Sequence, residues 1–120
     1  MKIAEVSQIA GLSISTIHYY ERSGLCPLVS RGADGHRAFS PADCDWLLLL
    51  ASLRATGMPM AEMRAFADLY AAGEATVAER KAALLAHRAR MDERRAELDA
   101  CQSILTRKLK RYDEILGGRA

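Results

Sequence analysis

The chain has 120 residues, half of them hydrophobic, with seventeen Lys/Arg against fifteen Asp/Glu and a net charge of +2. That length bounds it to one compact unit with at most an appendage. The near-neutral charge excludes any argument for nucleic-acid binding from bulk electrostatics and leaves only the placement of individual cations.

No apolar run approaches the roughly 18 residues of a membrane span, and the first residues carry no signal-peptide pattern. Three widely spaced cysteines (Cys26, Cys44 and Cys101) do not make a secreted disulfide framework, so a reducing cytoplasm is expected. The first 58 residues balance five Lys/Arg against five acids, and the rest hold twelve against ten. Much of the apolar content is alanine, so the core is modest and burial is expected to depend on a partner chain.

Ile3, Val6, Ser7 and Ala10 mark one face of a short helix that Gly11 ends, with small Ser7 where two helices cross. A second helix follows at once. Ser13 is a suitable N-cap, and Ile14, Ile17 and one tyrosine fall at inward helical spacing. Ser15, Thr16, His18, Tyr19 and Arg22 take the other faces, and Gly24 ends the helix. Two helices joined by a short glycine-containing turn have helix-turn-helix spacing. A short helix with a polar, aromatic, weakly basic outer face suits a DNA major groove, against the plainer reading of a solvated surface helix.

Leu25-Cys26-Pro27-Leu28-Val29 reads as extended, and Asp34-Gly35 is a strong hairpin turn. Arg31, His36 and Arg37 flank that turn, as a wing gripping a phosphate backbone would require. Ser40-Pro41-Ala42-Asp43 is a capping box opening a third helix through Trp46, Leu47, Leu49, Leu50 and Leu53 to Gly57. Pro59 begins a fourth, through Met60, Met63, Phe66, Ala67 and Tyr70 to Gly73.

Thr76-Val77-Ala78-Glu79 reads as a second capping box, with no breaker before Gly117. The resulting helix of about 41 residues would be on the order of 60 Å long. Val77, Leu84, Met91, Leu98, Leu105 and Tyr112 recur every seven residues, the mark of a left-handed coiled coil. A weaker second seam runs through His87, Cys101 and Ile115, with Leu109 and Leu116 on the neighbouring spacing. A paired helix, hence a homodimer, is expected. The domains are therefore drawn at 1–73 and 74–120.

In combination these motifs resemble the MerR family of bacterial transcription regulators. The resemblance rests on Ile3-Ala4-Glu5-Val6, Gly11-Leu12-Ser13, Thr16-Ile17-His18-Tyr19-Tyr20-Glu21-Arg22 and Gly24-Leu25. It continues with Arg31, Gly35-His36-Arg37-Ala38-Phe39-Ser40, Leu53-Arg54 and Gly57-Met58. It implies a mostly α fold: a winged helix-turn-helix with a small β-hairpin wing, two further helices, and a long C-terminal helix dimerising as an antiparallel coiled coil. It also implies binding of double-stranded promoter DNA at a palindromic operator between promoter elements. There the regulator distorts the duplex for RNA polymerase in response to an effector. The DNA-binding set carried over is Ser15, Thr16, His18, Tyr19, Tyr20, Arg22, Arg31, His36 and Arg37. The dimer interface is Val77, Leu84, Met91, Leu98, Cys101, Leu105, Leu109 and Tyr112.

Some positions depart from the family pattern. His18 stands where arginine is usual, His36 and Phe39 replace tyrosines, and Pro59 replaces a frequent serine cap. Leu53-Arg54-Ala55-Thr56-Gly57-Met58-Pro59-Met60 resembles a subgroup that responds to aldehydes and other electrophiles, but its cysteine position holds Ala51-Ser52. Cys26, Cys44 and Cys101 are the thiols an electrophile would meet, with packing the default role of each. No Cys or His pair has metal-ligand spacing, so no metal or cofactor is expected. A small organic effector could bind among Trp46, Met58, Met60, Met63, Phe66 and Tyr70. An architectural or excision-type DNA-bending protein and a coiled-coil interaction protein are the alternatives, and nothing converges as an enzyme's site does.

Overall fold

A computed structural model describes residues 1–26, 29–31 and 37–118 of the chain, and the described residues are mostly helical. Helix α1 (Ile3–Ala10) buries Val6 and Ala10 and stops at Gly11, whose φ of +68° is a left-handed conformation that glycine adopts without strain. Ser7 does more than leave room for a crossing helix. Its hydroxyl donates to the Leu12 carbonyl at 2.6 Å and fixes the turn into α2 (Ile14–Arg22). That helix closes on Gly24 with two staggered bonds, Gly24 N–H to the Glu21 carbonyl and Leu25 N–H to the Tyr20 carbonyl. Leu25, the residue after the glycine, is fully buried, as the hydrophobic partner of such a cap should be.

Ser30–Arg31 (β1) and Arg37–Ala38 (β2) pair antiparallel, with Ser30 opposite Ala38 and Arg31 opposite Arg37. The turn read at Asp34-Gly35, and His36 beside it, lie outside the described residues. Phe39 follows, buried, its N–H donating to the Met1 carbonyl at 2.9 Å.

Helix α3 (Pro41–Ala55) opens on the capping box its sequence announces. Ser40 Oγ accepts from Asp43 N–H at 3.0 Å, and Asp43 Oδ2 accepts from Ser40 N–H at 2.9 Å. It buries Trp46, Leu47, Leu50 and Leu53. Helix α4 (Met60–Ala71), with Pro59 as its N-cap residue rather than its first turn, adds Met63, Phe66 and Ala67.

The second expected capping box does not form as read. A 3-10 turn (Gly73–Thr76) runs straight into α5 (Val77–Leu116), so the first amides of α5 meet the carbonyls of that turn. The Thr76 hydroxyl faces the other way, donating to the carbonyls of Leu69 and Gly73. Arg80 strengthens the same joint, with Nε donating to Thr76 Oγ1 at 3.2 Å and Nη2 to the Gly73 carbonyl at 2.9 Å.

The chain divides into two units, Met1–Ala83 and Leu84–Ala120, ten residues beyond the boundary drawn from the sequence. The Arg80 bonds give the reason: the first turns of α5 are tied to the turn before them. The first unit holds the aromatic core. Trp46 stacks on Tyr70 at 4.1 Å between ring centroids and on Phe66 at 5.4 Å, and its indole N–H donates to the buried Leu25 carbonyl at 2.6 Å. Arg80 lies over the Tyr70 ring at 5.5 Å. The second unit is the remainder of α5. Among its described residues only His87 is buried, and its Nδ1 lies 3.3 Å from Arg90 Nη2. No helix among the described residues is long and apolar enough to cross a membrane.

Replacing Trp46 separates its two roles. Trp46→Phe keeps an aromatic stack but leaves the buried Leu25 carbonyl without its donor, an expected loss of about 1–3 kcal/mol. Trp46→Ala removes the stack as well, an expected loss of about 3–5 kcal/mol. Urea unfolding of both variants checks the order: a Trp46→Phe variant as stable as the parent would show that the hydrogen bond adds nothing, and equal losses would show that the stack adds nothing.

Candidate nucleic-acid interface

The outward face of α2 is assembled by its cap and its two inward residues. Ser13 Oγ accepts from Thr16 N–H at 3.0 Å and lies 2.8 Å from Thr16 Oγ1, so the two hydroxyls of the first turn engage each other. Ile17 and Tyr20 anchor the helix, fully buried and 3% exposed respectively. Ser15, His18, Tyr19 and Arg22 are left exposed. His18 Nδ1 lies 4.0 Å from Glu21 Oε1, an ion pair only when the imidazole is protonated. The face is therefore a row of hydroxyl, imidazole, phenol and guanidinium, with its permanent cation at the C-terminal end.

Two readings from the sequence change here. Tyr20, counted with the DNA-binding residues, belongs to the core. Its ring lies 6.1 Å from that of Tyr19, tilted by 47°, and burial turns it away from solvent. Ile14, read as inward, is 41% exposed. A helical side chain leans toward the N-terminus and covers the turn preceding its own Cα. At the first position of α2 only the Gly11–Ser13 turn precedes it, so spacing that buries Ile17 and Tyr20 leaves Ile14 over the edge. Its place directly after the cap was the available signal.

Arg31 and Arg37 occupy directly opposed positions of the β1–β2 ladder. Thr16 is half-buried in its cap, and His36 lies outside the described residues. Cys44 is buried, Cys26 half-buried and Cys101 exposed. Of the six residues considered around an organic ligand, Trp46, Met58, Met63 and Phe66 already fill the core. No group of three or more His, Cys, Asp or Glu among the described residues could hold a metal ion.

On α5, Val77, Met91, Leu98, Leu105, Leu109 and Tyr112 are between 38% and 66% exposed, Leu84 is half-buried and Cys101 is exposed. His87, drawn on the second seam, is buried instead.

A tight turn between two short helices, followed by an antiparallel strand pair, defines a helix-turn-helix protein. Comparison with known proteins narrows the class. The family described as MerR HTH family regulatory protein matches residues 1–69, and the one described as MerR, DNA binding matches residues 45–108. The chain belongs to the MerR family. It is 36% identical over 77 residues to an HTH-type transcriptional regulator of Haemophilus influenzae, covering 64% of this chain and 57% of that one. It is 35% identical over 93 residues to the HTH-type transcriptional regulator AdhR of Bacillus subtilis, covering 78% of this chain and 66% of that one. The matched stretch thus spans less than two thirds of either relative. Among solved structures it resembles HiNmlR, a MerR family regulator lacking the sensor domain and bound to promoter DNA. The TM-score is 0.85 at 30% identity, over 97% of this chain and 92% of that one.

The Tyr20 phenol gives a pH test of the core beneath the interface. Burial pushes its pKa above the ordinary value of about 10; the nearby Arg54 guanidinium pulls it back, and Cys26 and Tyr19 push it up. A raised folded-state pKa means that the folded chain holds the proton longer than the unfolded one. The stability linked to Tyr20 is then complete below about pH 10 and is lost as pH rises through the folded value. Urea unfolding at pH values on both sides of about 10 should show this alkaline loss, and Tyr20→Phe should lessen it.

Proposed function

We propose that the protein acts as a homodimer that binds a palindromic operator in a promoter spacer and controls transcription by RNA polymerase through distortion of the DNA. On this reading two chains pair antiparallel through α5, and each presents α2 to a major groove and the β1–β2 hairpin, as a wing, to the adjoining backbone. A small organic effector biases the angle between the two heads.

The observation that carries the reading is the seven-residue apolar seam on α5 left in solvent in a single chain. Contiguous apolar exposure of this kind marks an association surface, and a seven-residue repeat selects another helix as its occupant. Charge order favours the antiparallel arrangement. About a twofold axis at Glu97, Lys81 falls opposite Asp113, Arg80 opposite Glu114 and Arg95 opposite Asp99. A parallel pair would set Arg107, Lys108, Lys110 and Arg111 against the same four cations.

Ser15, His18, Tyr19 and Arg22 are the proposed groove contacts, with Arg31, His36 and Arg37 on phosphates and Thr16 acting through the cap.

Two measurements test the pair of claims. Sedimentation should find a dimer that Leu98→Glu with Leu105→Glu converts to monomer, with loss of palindrome binding; a monomeric parent chain would end the proposal. Arg37→Ala should weaken binding to every DNA sequence alike and lower the salt slope by about one ion per subunit, about two for the dimer. An unchanged slope would remove the wing from the interface.

A further inference from the structure

The first turn of α2 offers the groove an unusual set of groups. Ser13 and Thr16 spend their hydroxyls on each other and on the helix cap, and Ile17 is buried. What remains outward in that turn is the Ser15 hydroxyl and the aliphatic side chain of Ile14, 41% exposed. Ile14 also heads the row Ile14, His18, Arg22, spaced by four residues and so aligned on one side of the helix. The guanidinium at one end of the row suits a phosphate, whereas the other end has nothing to offer a phosphate. A sec-butyl side chain without donor or acceptor recognises only an apolar surface.

In a helix-turn-helix complex the N-terminal residues of the second helix are the ones that meet base edges. Of the groups that the four bases display in the major groove, one is apolar, the C5-methyl of thymine. We infer that Ile14 is a specificity-determining residue of this regulator, packing against a thymine methyl at one position in each half-site. The inference rests on the proposed entry of α2 into the major groove and adds a sequence preference to it. It divides the labour along the helix, with a hydrophobic reader at the N-terminal end and the Arg22 cation at the other.

The experiment uses the full-length chain and double-stranded DNA. Preferred sequences are selected from a randomised library, and each thymine of the selected site is replaced in turn by deoxyuridine, which deletes one methyl and leaves base pairing intact. Affinity should fall about 4-fold at one position per half-site, the effect of one buried methyl. Ile14→Ala should be indifferent to the same replacement, and Ile14→Val should retain the sensitivity. Cytosine at that position should bind more weakly than 5-methylcytosine with the parent chain and equally with Ile14→Ala, which attributes the effect to the methyl rather than to the base. If Ile14→Ala keeps the full uracil sensitivity, or the parent chain has none anywhere, the assignment of Ile14 is overturned while groove entry stands. If the parent chain selects no sequence at all, groove entry itself is overturned and the assignment goes with it.

Discussion

The single indole of Trp46 holds the first unit together. Its N–H takes the carbonyl of Leu25, the residue that closes the cap of α2, at 2.6 Å. Its ring system lies on Tyr70 and Phe66 of α4. Tyr70 in turn carries Arg80, whose guanidinium also holds the Gly73 carbonyl. One residue of α3 thereby connects the end of α2 to α4 and, through Tyr70, to the first turns of α5. Stacked aromatic pairs have preferred geometries, and a buried carbonyl tolerates little displacement from its donor. The end of α2 is accordingly positioned by two direction-dependent interactions as well as by general burial.

The two units use apolar surface in opposite ways. In Met1–Ala83 the large residues of α3 and α4 are buried within one chain, and even the polar Asp43 is buried because its carboxylate completes the cap of α3. In Leu84–Ala120 His87 is buried and Leu84 half-buried, but Met91, Leu98, Leu105, Leu109 and Tyr112 sit in water on a helix with charged faces, where Arg111 meets Glu114 at 3.6 Å and Lys108 lies over Tyr112. Such i,i+3 and i,i+4 contacts support a helix by tenths of a kcal/mol. They can keep it helical, but they do not account for a seam repeated without interruption over six heptad positions. On the proposed reading the seam's burial is deferred to association, so the second unit's packing depends on protein concentration in a way the first unit's does not.

Local chemistry was legible from the sequence, and edges were not. The Ser40 box, the turn at Gly11, the glycine stop at Gly24 and the length of α5 each depend on a few neighbouring residues, and each was readable. Ile14 went the other way, because helical spacing says which residues share a face but not where the surrounding structure ends; Tyr20 is buried as its spacing allows, and only its place in the DNA-binding set carried over by resemblance changes. A tyrosine with a burial-raised pKa and an isoleucine in water lie on one nine-residue helix, six positions apart. Thr76 failed for a related reason. The sequence shows a hydroxyl three residues before an acid, but the preceding 3-10 turn reached the amides first. Arg80 reaches back seven residues to Gly73, a bond that no sequence window of helix periodicity contains.

A near-neutral chain has little long-range attraction for DNA, and that constrains how it can bind at all. Within the first 58 residues cations and acids cancel, so on the proposed reading Arg22, Arg31 and Arg37 act by position. Three cations on one head release few counterions, too few for strong non-specific binding. Two heads held at a fixed separation change the arithmetic, because the second engagement occurs at high effective concentration once the first has formed. On the proposed reading the exposed α5 seam is thus part of the DNA affinity and not merely an oligomerisation device. An apolar reader such as Ile14 fits the same economy of charge. It contributes discrimination without adding a cation, so specificity and electrostatic affinity can be set by different residues on one helix.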